Sequence, residues 1–309
     1  MRAEENPDIQ PRVREETPFV SVIVPVFNDP VALRRCLQAI ENQTYRSDCY
    51  EVIVVDNASS EPLRSLIEEF PHAVAEYEAA PGSYPARNRG IARARGDVLA
   101  FTDADCIPDS GWIAAGIERI GEDGFLVGGR IDVFPKHEPR PNAVELYEML
   151  YAFAPEDHAQ AGFASTANLF TRRAVFDDVG LFDPALKSFG DVIWTSRAVS
   201  AGYGLRFSDF ARVRHPARRS LYHLYRRYAR FAGGHYDRAS RCSRRLLRER
   251  FRAALMLLPP AKLATRVLTS VEPAPWDAKL KVIAVAYYAR LSYLLEWCRL
   301  ELGGESRRG

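Results

Sequence analysis

No uncharged stretch among the 309 residues approaches the roughly 20 that cross a bilayer, so no transmembrane helix is expected. The five cysteines (Cys36, Cys49, Cys106, Cys242 and Cys298) are odd in number and nowhere spaced C-x-x-C. A reducing, cytoplasmic compartment is the plain reading. Met1 to Thr17 is charged and proline-containing with no apolar core, so residues 1–17 are read as a flexible N-terminus without a signal peptide. No G-x-G-x-x-G follows the first predicted strand, which argues against a dinucleotide-binding dehydrogenase. No G-x-x-x-x-G-K-[ST] occurs, which excludes a P-loop nucleotidase in its usual form. No Ser/His/Asp or Cys/His arrangement for nucleophilic catalysis is evident.

What is present describes a globular chain, 47% hydrophobic and 27% charged, long enough for one large domain or two small ones. The net charge of +2 conceals an asymmetry. Arg206 to Arg252 holds 15 arginines, no lysine and three acids (Asp209, Asp237, Glu249), which leaves the remainder acidic. A solvated arginine face, an anionic membrane surface or a phosphate-bearing substrate each accounts for such a block. Nucleic acid is not expected, because no recognisable binding module accompanies it.

Strands and helices alternate over the first 105 residues. Val20 to Val26 and Val52 to Val55 are β-branched runs of the kind buried on both faces of a parallel sheet. Ala73 to Tyr77 and Val98 to Thr102 add two further strands. Helices are expected over 31–40, 63–70 and 84–95, which predicts a doubly wound, mostly parallel α/β sheet with right-handed crossovers. A strand over 125–133, helices over 142–153 and 172–179, and a helix from Ser188 to Ala201 follow less regularly. After Pro216 the pattern becomes helical, with Leu221, Leu224, Tyr225 and Tyr228 on one side and Arg226, Arg227 and Arg230 on another; 281–302 reads as a last helix.

Ligands of such sheets bind beyond the strands' carboxyl ends, where Phe27-Asn28, Asp56 and Asp103-Ala104-Asp105 all fall. Two carboxylates one residue apart at a strand end point the same way, and such a pair can hold a divalent cation against a diphosphate. Alone the D-x-D is a weak signal, since roughly one turns up by chance in a chain of this length.

In order and at matching spacing, Pro18 to Asn28 (PFVSVIVPVFN), Gln43-Thr44-Tyr45, Glu51 to Ser59 (EVIVVDNAS), Pro85 to Gly90 (PARNRG) and Gly96 to Asp105 (GDVLAFTDAD) resemble the family 2 glycosyltransferases. The resemblance covers about residues 18–216. It implies a GT-A fold at 18–216 with a basic, amphipathic helical extension at 217–309, a nucleotide-sugar donor (UDP by frequency within the family), a divalent cation (Mg²⁺ or Mn²⁺) and inversion at the anomeric carbon. Carried over by position, Pro25, Phe27 and Asn28 would line the nucleotide pocket, and Asp56 and Arg87 would meet the base or ribose. Asp103 would touch ribose or metal, and Asp105 would hold the metal on the diphosphate. His215, in Val213-Arg214-His215-Pro216, would join the metal shell. Asp191 matches the carboxylate that deprotonates the acceptor hydroxyl, with Gly190 standing where many members carry Glu. Arg197 matches an arginine usual in that helix. Thr166 and Asn168 fall in the segment that borders acceptor or donor sugar.

Plain structural readings stand beside these. Asp191 could cap its helix, His215 could be an ordinary buried histidine, 164–168 could be a polar turn, and Trp194 is read as helix core. The expected acceptor is a glycan or lipid-linked hydroxyl at the inner membrane face, as in cell-envelope synthesis. One alternative is an inactive member serving as a membrane-associated scaffold. Another is a nucleotidyltransferase, which would normally show a glycine-rich loop and lysine where Phe27-Asn28-Asp29-Pro30 stands.

Overall fold

The computed structural model describes residues 17–121, 126–136, 139–240, 243–258, 265, 267–268 and 275–307. Residues 1–16 of the expected flexible N-terminus, Phe125 and 259–261 lie outside the described residues.

Four strands form the amino-terminal half of the sheet: β1 (Val20–Val26), β2 (Tyr50–Asp56), β3 (Ala73–Tyr77) and β4 (Val98–Thr102), all parallel and ordered β3-β2-β1-β4. Both β1 and β2 are buried almost throughout, as continuous β-branched runs covered by helices on two faces require. Pro25 has no N–H to give a ladder, and it is tolerated because β4 pairs with β1 only as far as Ile23. Helix α1 (Pro30–Glu41) is capped by Asp29, whose carboxylate accepts from the Ala32 N–H at 3.0 Å, with Pro30 in the first turn. Helices α2 (Arg64–Ile67) and α3 (Ser83–Arg93) complete the alternation. α3 lies so close to β1 that a Cβ on Gly90 would meet Ile23 Cγ2 at 2.5 Å.

The second half departs from a purely parallel sheet. Past β5 (Ile107–Pro108) and α4 (Trp112–Ile120) come β6 (Leu126–Phe134), α5 (Ala143–Tyr151), α6 (Pro155–Gln160), β7 (Asn168–Arg172), α7 (Arg173–Val179), α8 (Gly190–Ser200) and β8 (Leu205–Pro216). The eight strands are ordered β3-β2-β1-β4-β7-β6-β8-β5. β7 runs antiparallel to both β4 and β6, while β6 and β8 pair in parallel with a bulge at Gly129/Arg130. Trp194 is core, stacked on Phe176 at 4.0 Å between ring centroids.

The carboxyl-terminal helices pack onto this body rather than standing apart. α9 (Leu221–Ala239) and the 26-residue α11 (Trp276–Glu301) lie side by side, with α10 (Ser243–Ala254) against them. Val144 and Tyr147 of α5, Leu224 of α9, and Val282, Val285 and Ala289 of α11 share one apolar core. Glu148, buried on α5, holds α9 down through the Arg218 and Arg227 guanidiniums, each at 2.8 Å.

Candidate active site

A cleft of about 780 Å³ opens at the carboxyl ends of β1 and β4 and is walled on the far side by α9. Pro25, Phe27, Arg87, Asp103, Asp105, Thr166, Asp191 and His215 all border it. Side chains from well-separated parts of the chain therefore meet in one cavity, at the place where a parallel α/β sheet binds its ligands.

The two aspartates do not act as the alternating strand pair that the sequence suggested. β4 ends at Thr102, and the Cys106 N–H donates to the Asp103 carbonyl at 3.0 Å, so 103–106 is a turn. The carboxylates consequently diverge. Asp103 Oδ1 accepts from Arg87, whose guanidinium is buried beside Tyr84. Asp105 turns instead to His215, with Oδ2 3.5 Å from Nε2.

His215 is buried at the end of β8 with its ring against Phe153. Its Nδ1 lies 2.8 Å from the Pro216 carbonyl, which can only accept, so Nδ1 donates there and Nε2 is the nitrogen that faces Asp105. A backbone carbonyl on the distal nitrogen is the usual support of a metal-binding imidazole. Asp105, Cys106 and His215 bring ligand atoms within 4.8 Å of one another, and Asp103 stands outside that group. Cys106 faces the core, where burial pushes its thiol far above the range in which a thiolate forms. Within that group, the Asp105 carboxylate and the His215 imidazole are the donors whose chemistry suits a divalent cation. Burial at the cleft floor raises the Asp105 carboxyl, and the His215 charge opposes that rise.

Asp191 sits in the first turn of α8, after Phe189 in a left-handed conformation (φ 63°). Its Oδ1 accepts from the Val192 N–H at 2.9 Å and the Tyr84 hydroxyl at 3.4 Å, and its Oδ2 from the Thr166 N–H at 3.4 Å. Thr166 thus meets the site through its backbone.

Three residues expected at the site lie outside the lining of this cleft. Asn168 does not border the cleft: it is buried, its Oδ1 accepts from Trp112 Nε1 at 2.9 Å, and its Nδ2 donates to the Arg130 and Ala211 carbonyls at 2.8 Å. It locks β6, β7 and β8 together. Asn28 is also absent from the lining, and its Oδ1 accepts from the Ser60 N–H at 2.8 Å, tying the β1–α1 turn to the turn after β2. Asp56, at the end of β2 next to the cleft-lining Asn57, is not itself in the lining, and its Oδ1 accepts from the Ser59 N–H at 3.0 Å. Arg197, on the outer side of α8, donates to the Gly180 and Leu181 carbonyls.

Sequence reasoning missed the wall opposite. Arg227, Arg230 and His235 on α9, with Arg218 just before it, border the cleft, as do Tyr84 and His158. The arginine face of α9 was readable from its spacing, but nothing in the chain told which surface it would meet.

Comparison with known proteins agrees with this geometry. The chain is 40% identical over 209 residues to glycosyltransferase AglE of Haloferax volcanii, covering 65% of this chain and 68% of that one. It is 30% identical over 228 residues to the pre-mycofactocin glycosyltransferase of Mycobacterium tuberculosis, covering 69% of this chain but 46% of the relative. Among solved structures, the mannosyltransferase PcManGT of Pyrobaculum calidifontis, in complex with GDP-Man and Mn²⁺, superimposes with a TM-score of 0.63 at 19% identity, covering 92% and 88% of the two chains, a likeness of fold. Residues 21–180 match the glycosyl transferase family 2 profile, and the chain belongs to that family: it is a glycosyltransferase of GT-A fold.

Proposed function

We propose that the enzyme transfers a sugar, with inversion, from a nucleoside-diphosphate sugar to a hydroxyl of a glycan or lipid-linked acceptor. One observation carries this reading: a helix-borne carboxylate, Asp191, and the Asp105–His215 pair border the same cleft. The nucleoside would lie along Pro25, Phe27, Arg87 and Asp103, with Asp56 beside cleft-lining Asn57, and UDP is the first nucleotide expected. Asp191 takes the proton of the acceptor hydroxyl as its oxygen bonds to the anomeric carbon. The bond from that carbon to the diphosphate oxygen breaks in the same displacement, and its electron pair leaves with the diphosphate. Asp105 and His215 would hold Mg²⁺ or Mn²⁺, which supplies charge neutralisation at the leaving diphosphate. Arg218, Arg227 and Arg230 add fixed positive charge on the wall opposite.

The test is thermal stability against UDP, GDP and dTDP, each with Mn²⁺ and with EDTA. A ligand at 100 times its Kd stabilises by about 2.7 kcal/mol. A rise in midpoint for one diphosphate that disappears in EDTA is expected. No rise for any of them overturns the reading.

We also propose that the protein works at the inner face of the cell membrane. No helix among the described residues is long and apolar enough to cross a bilayer. The basic block of 206–252 is divided by the fold: Arg206, Arg212 and Arg214 lie in β8, and Arg218, Arg227 and Arg230 border the cleft. What stays outward is α10, with Leu247 and Phe251 exposed beside Arg244, Arg245 and Arg248. An amphipathic helix of that composition suits an anionic bilayer surface. Co-sedimentation with anionic but not zwitterionic vesicles, lost in Leu247→Asp/Phe251→Asp, is the expected result; equal binding to both kinds overturns it.

A further inference from the structure

A second cleft of about 580 Å³ adjoins the first. The two share Asp29, Asp105, His215, Arg218, Arg227 and Arg230, and the second continues between α1 and the start of α9. Arg35, Lys136, Arg219 and Arg226 border only this part. Among the described residues, no carboxylate oxygen lies within 4.0 Å of the side-chain nitrogens of these four, nor of Arg230. Among the described residues, the only acids in the lining are Asp29 and Asp105. Asp29 caps α1, and Asp105 faces His215.

Such crowding of like charge costs stability unless something negative enters. Arg226, Arg227 and Arg230 stand three, four and seven residues after His223, so α9 turns one face to this cleft. The field is visible at His223, where burial, and then the charges of Arg219, Arg226, Arg218 and Lys136, lower the imidazole pKa. Burial lowers Arg230, and Arg218 and Arg227 add to this while Tyr84 and Asp191 oppose it; among the described residues no carboxylate forms an ion pair with its guanidinium. The lining is not wholly polar: Val31, Ile107, Phe134 and Pro216 border the same space.

We infer that the second cleft binds a phosphate or diphosphate group carried by the acceptor, beside the place of the donor's own diphosphate. Naming the ligand the acceptor rests on the donor reading above. The anion site itself rests on the unpaired cations. Apolar walls beside the cations suit a phosphate ester with a hydrocarbon portion, and a soluble phosphate shares the same headgroup chemistry.

The experiment is calorimetric titration of the full chain with inorganic pyrophosphate in EDTA, and in parallel with a short-chain prenyl phosphate and with inorganic phosphate. UDP with Mn²⁺ is titrated separately as the measure of the donor site. Arg219→Ala/Arg226→Ala, two exposed positions, and Lys136→Ala supply independent variants, each checked for an unchanged thermal midpoint. Pyrophosphate binding is expected to weaken about tenfold or more in the double variant while UDP affinity stays within about twofold. Tighter binding of the prenyl ester than of inorganic phosphate assigns a lipid-borne group; equal binding assigns a soluble one. Absent pyrophosphate binding, or variants that weaken UDP as much as pyrophosphate, overturns the inference. Loss of UDP binding by the unaltered protein strikes the donor reading instead and leaves the pyrophosphate result standing.

Discussion

The Tyr84 hydroxyl accepts from the Gly190 N–H at 2.8 Å and donates to Asp191 Oδ1 at 3.4 Å, so one phenol holds both ends of the first step of α8. Its ring also occupies the space above residue 190, where an added Cβ would meet Tyr84 Cζ at 2.7 Å. That contact accounts for Gly190, which stands where the family resemblance leads one to expect Glu. A side chain at 190 and the Tyr84 ring compete for the same volume.

Gly190→Ala therefore forces Tyr84 or α8 to move. Overpacking of this kind costs about 1–3 kcal/mol and should appear as a lower midpoint together with lower turnover. Tyr84→Phe keeps the ring, orphans the buried Gly190 N–H at a cost of about 1–3 kcal/mol, and loosens the carboxylate. Steady-state kinetics should show kcat reduced with the donor KM little changed. An unaltered kcat would remove Tyr84 from any part in positioning the base.

Asp191→Asn preserves shape and can keep the Oδ1 contacts from Val192 and Tyr84, gives up the one from Thr166 to the other oxygen, and cannot take a proton. Transfer should fall by about 10²- to 10⁴-fold, the usual contribution of a general base. Nucleotide diphosphate affinity, measured by calorimetry, should be nearly unchanged. Loss of both together would make Asp191 a structural cap.

The first half of the fold was legible because its signals are local. The β-branched runs of β1 and β2 and the turns after them can be read without knowing what they touch. β8 was not read, since Leu205–Pro216 places Arg206, Arg212 and Arg214 among apolar residues and resembles a basic run. Its partners explain it: Arg212 lies 3.3 Å from Asp132 and Arg214 3.6 Å from Asp109, contacts that exist only once β6 and β5 have paired with it. The site shows the same division. Asp105, Asp191 and His215 were recognisable by position, whereas the turn that parts Asp103 from Asp105 and the α9 wall depend on tertiary packing.

Asn168 tests that division directly. If its amide serves β7 and not a sugar, Asn168→Ala should leave the buried Trp112 Nε1 without its acceptor and take away the donor to the Arg130 and Ala211 carbonyls. Each orphaned group costs about 1–3 kcal/mol, so the thermal midpoint should drop sharply while a folded fraction binds nucleotide normally. A stable variant with an altered donor KM would return Asn168 to the substrate.

His215→Ala separates a metal ligand from a packing histidine. The Asp105 carboxylate would lose its imidazole neighbour, and Mn²⁺ affinity, read by electron paramagnetic resonance titration, should fall by more than the about 10- to 100-fold typical of removing a supporting residue. An undiminished affinity would mean that His215 only fills the space beside Phe153.

Glu148 ties stability, acidity and the site together. Burial alone would raise its carboxyl, yet the Arg227 and Arg218 guanidiniums overcome that and hold it below the usual glutamate value. A group whose folded pKa is depressed contributes fully above its unfolded value, about 4.3. That contribution is lost as pH falls through the folded pKa. The midpoint of the native protein should accordingly decline as pH falls below about 5. Glu148→Gln leaves two arginines without their shared counter-ion and should cost about 3–5 kcal/mol at neutral pH. Its stability should also depend less on acid, so the two curves converge at low pH. Because the same arginines wall the cleft beside Asp105, the variant should bind nucleotide diphosphate more weakly even where it remains folded. Parallel curves with intact nucleotide binding would show that α9 reaches the cleft without Glu148.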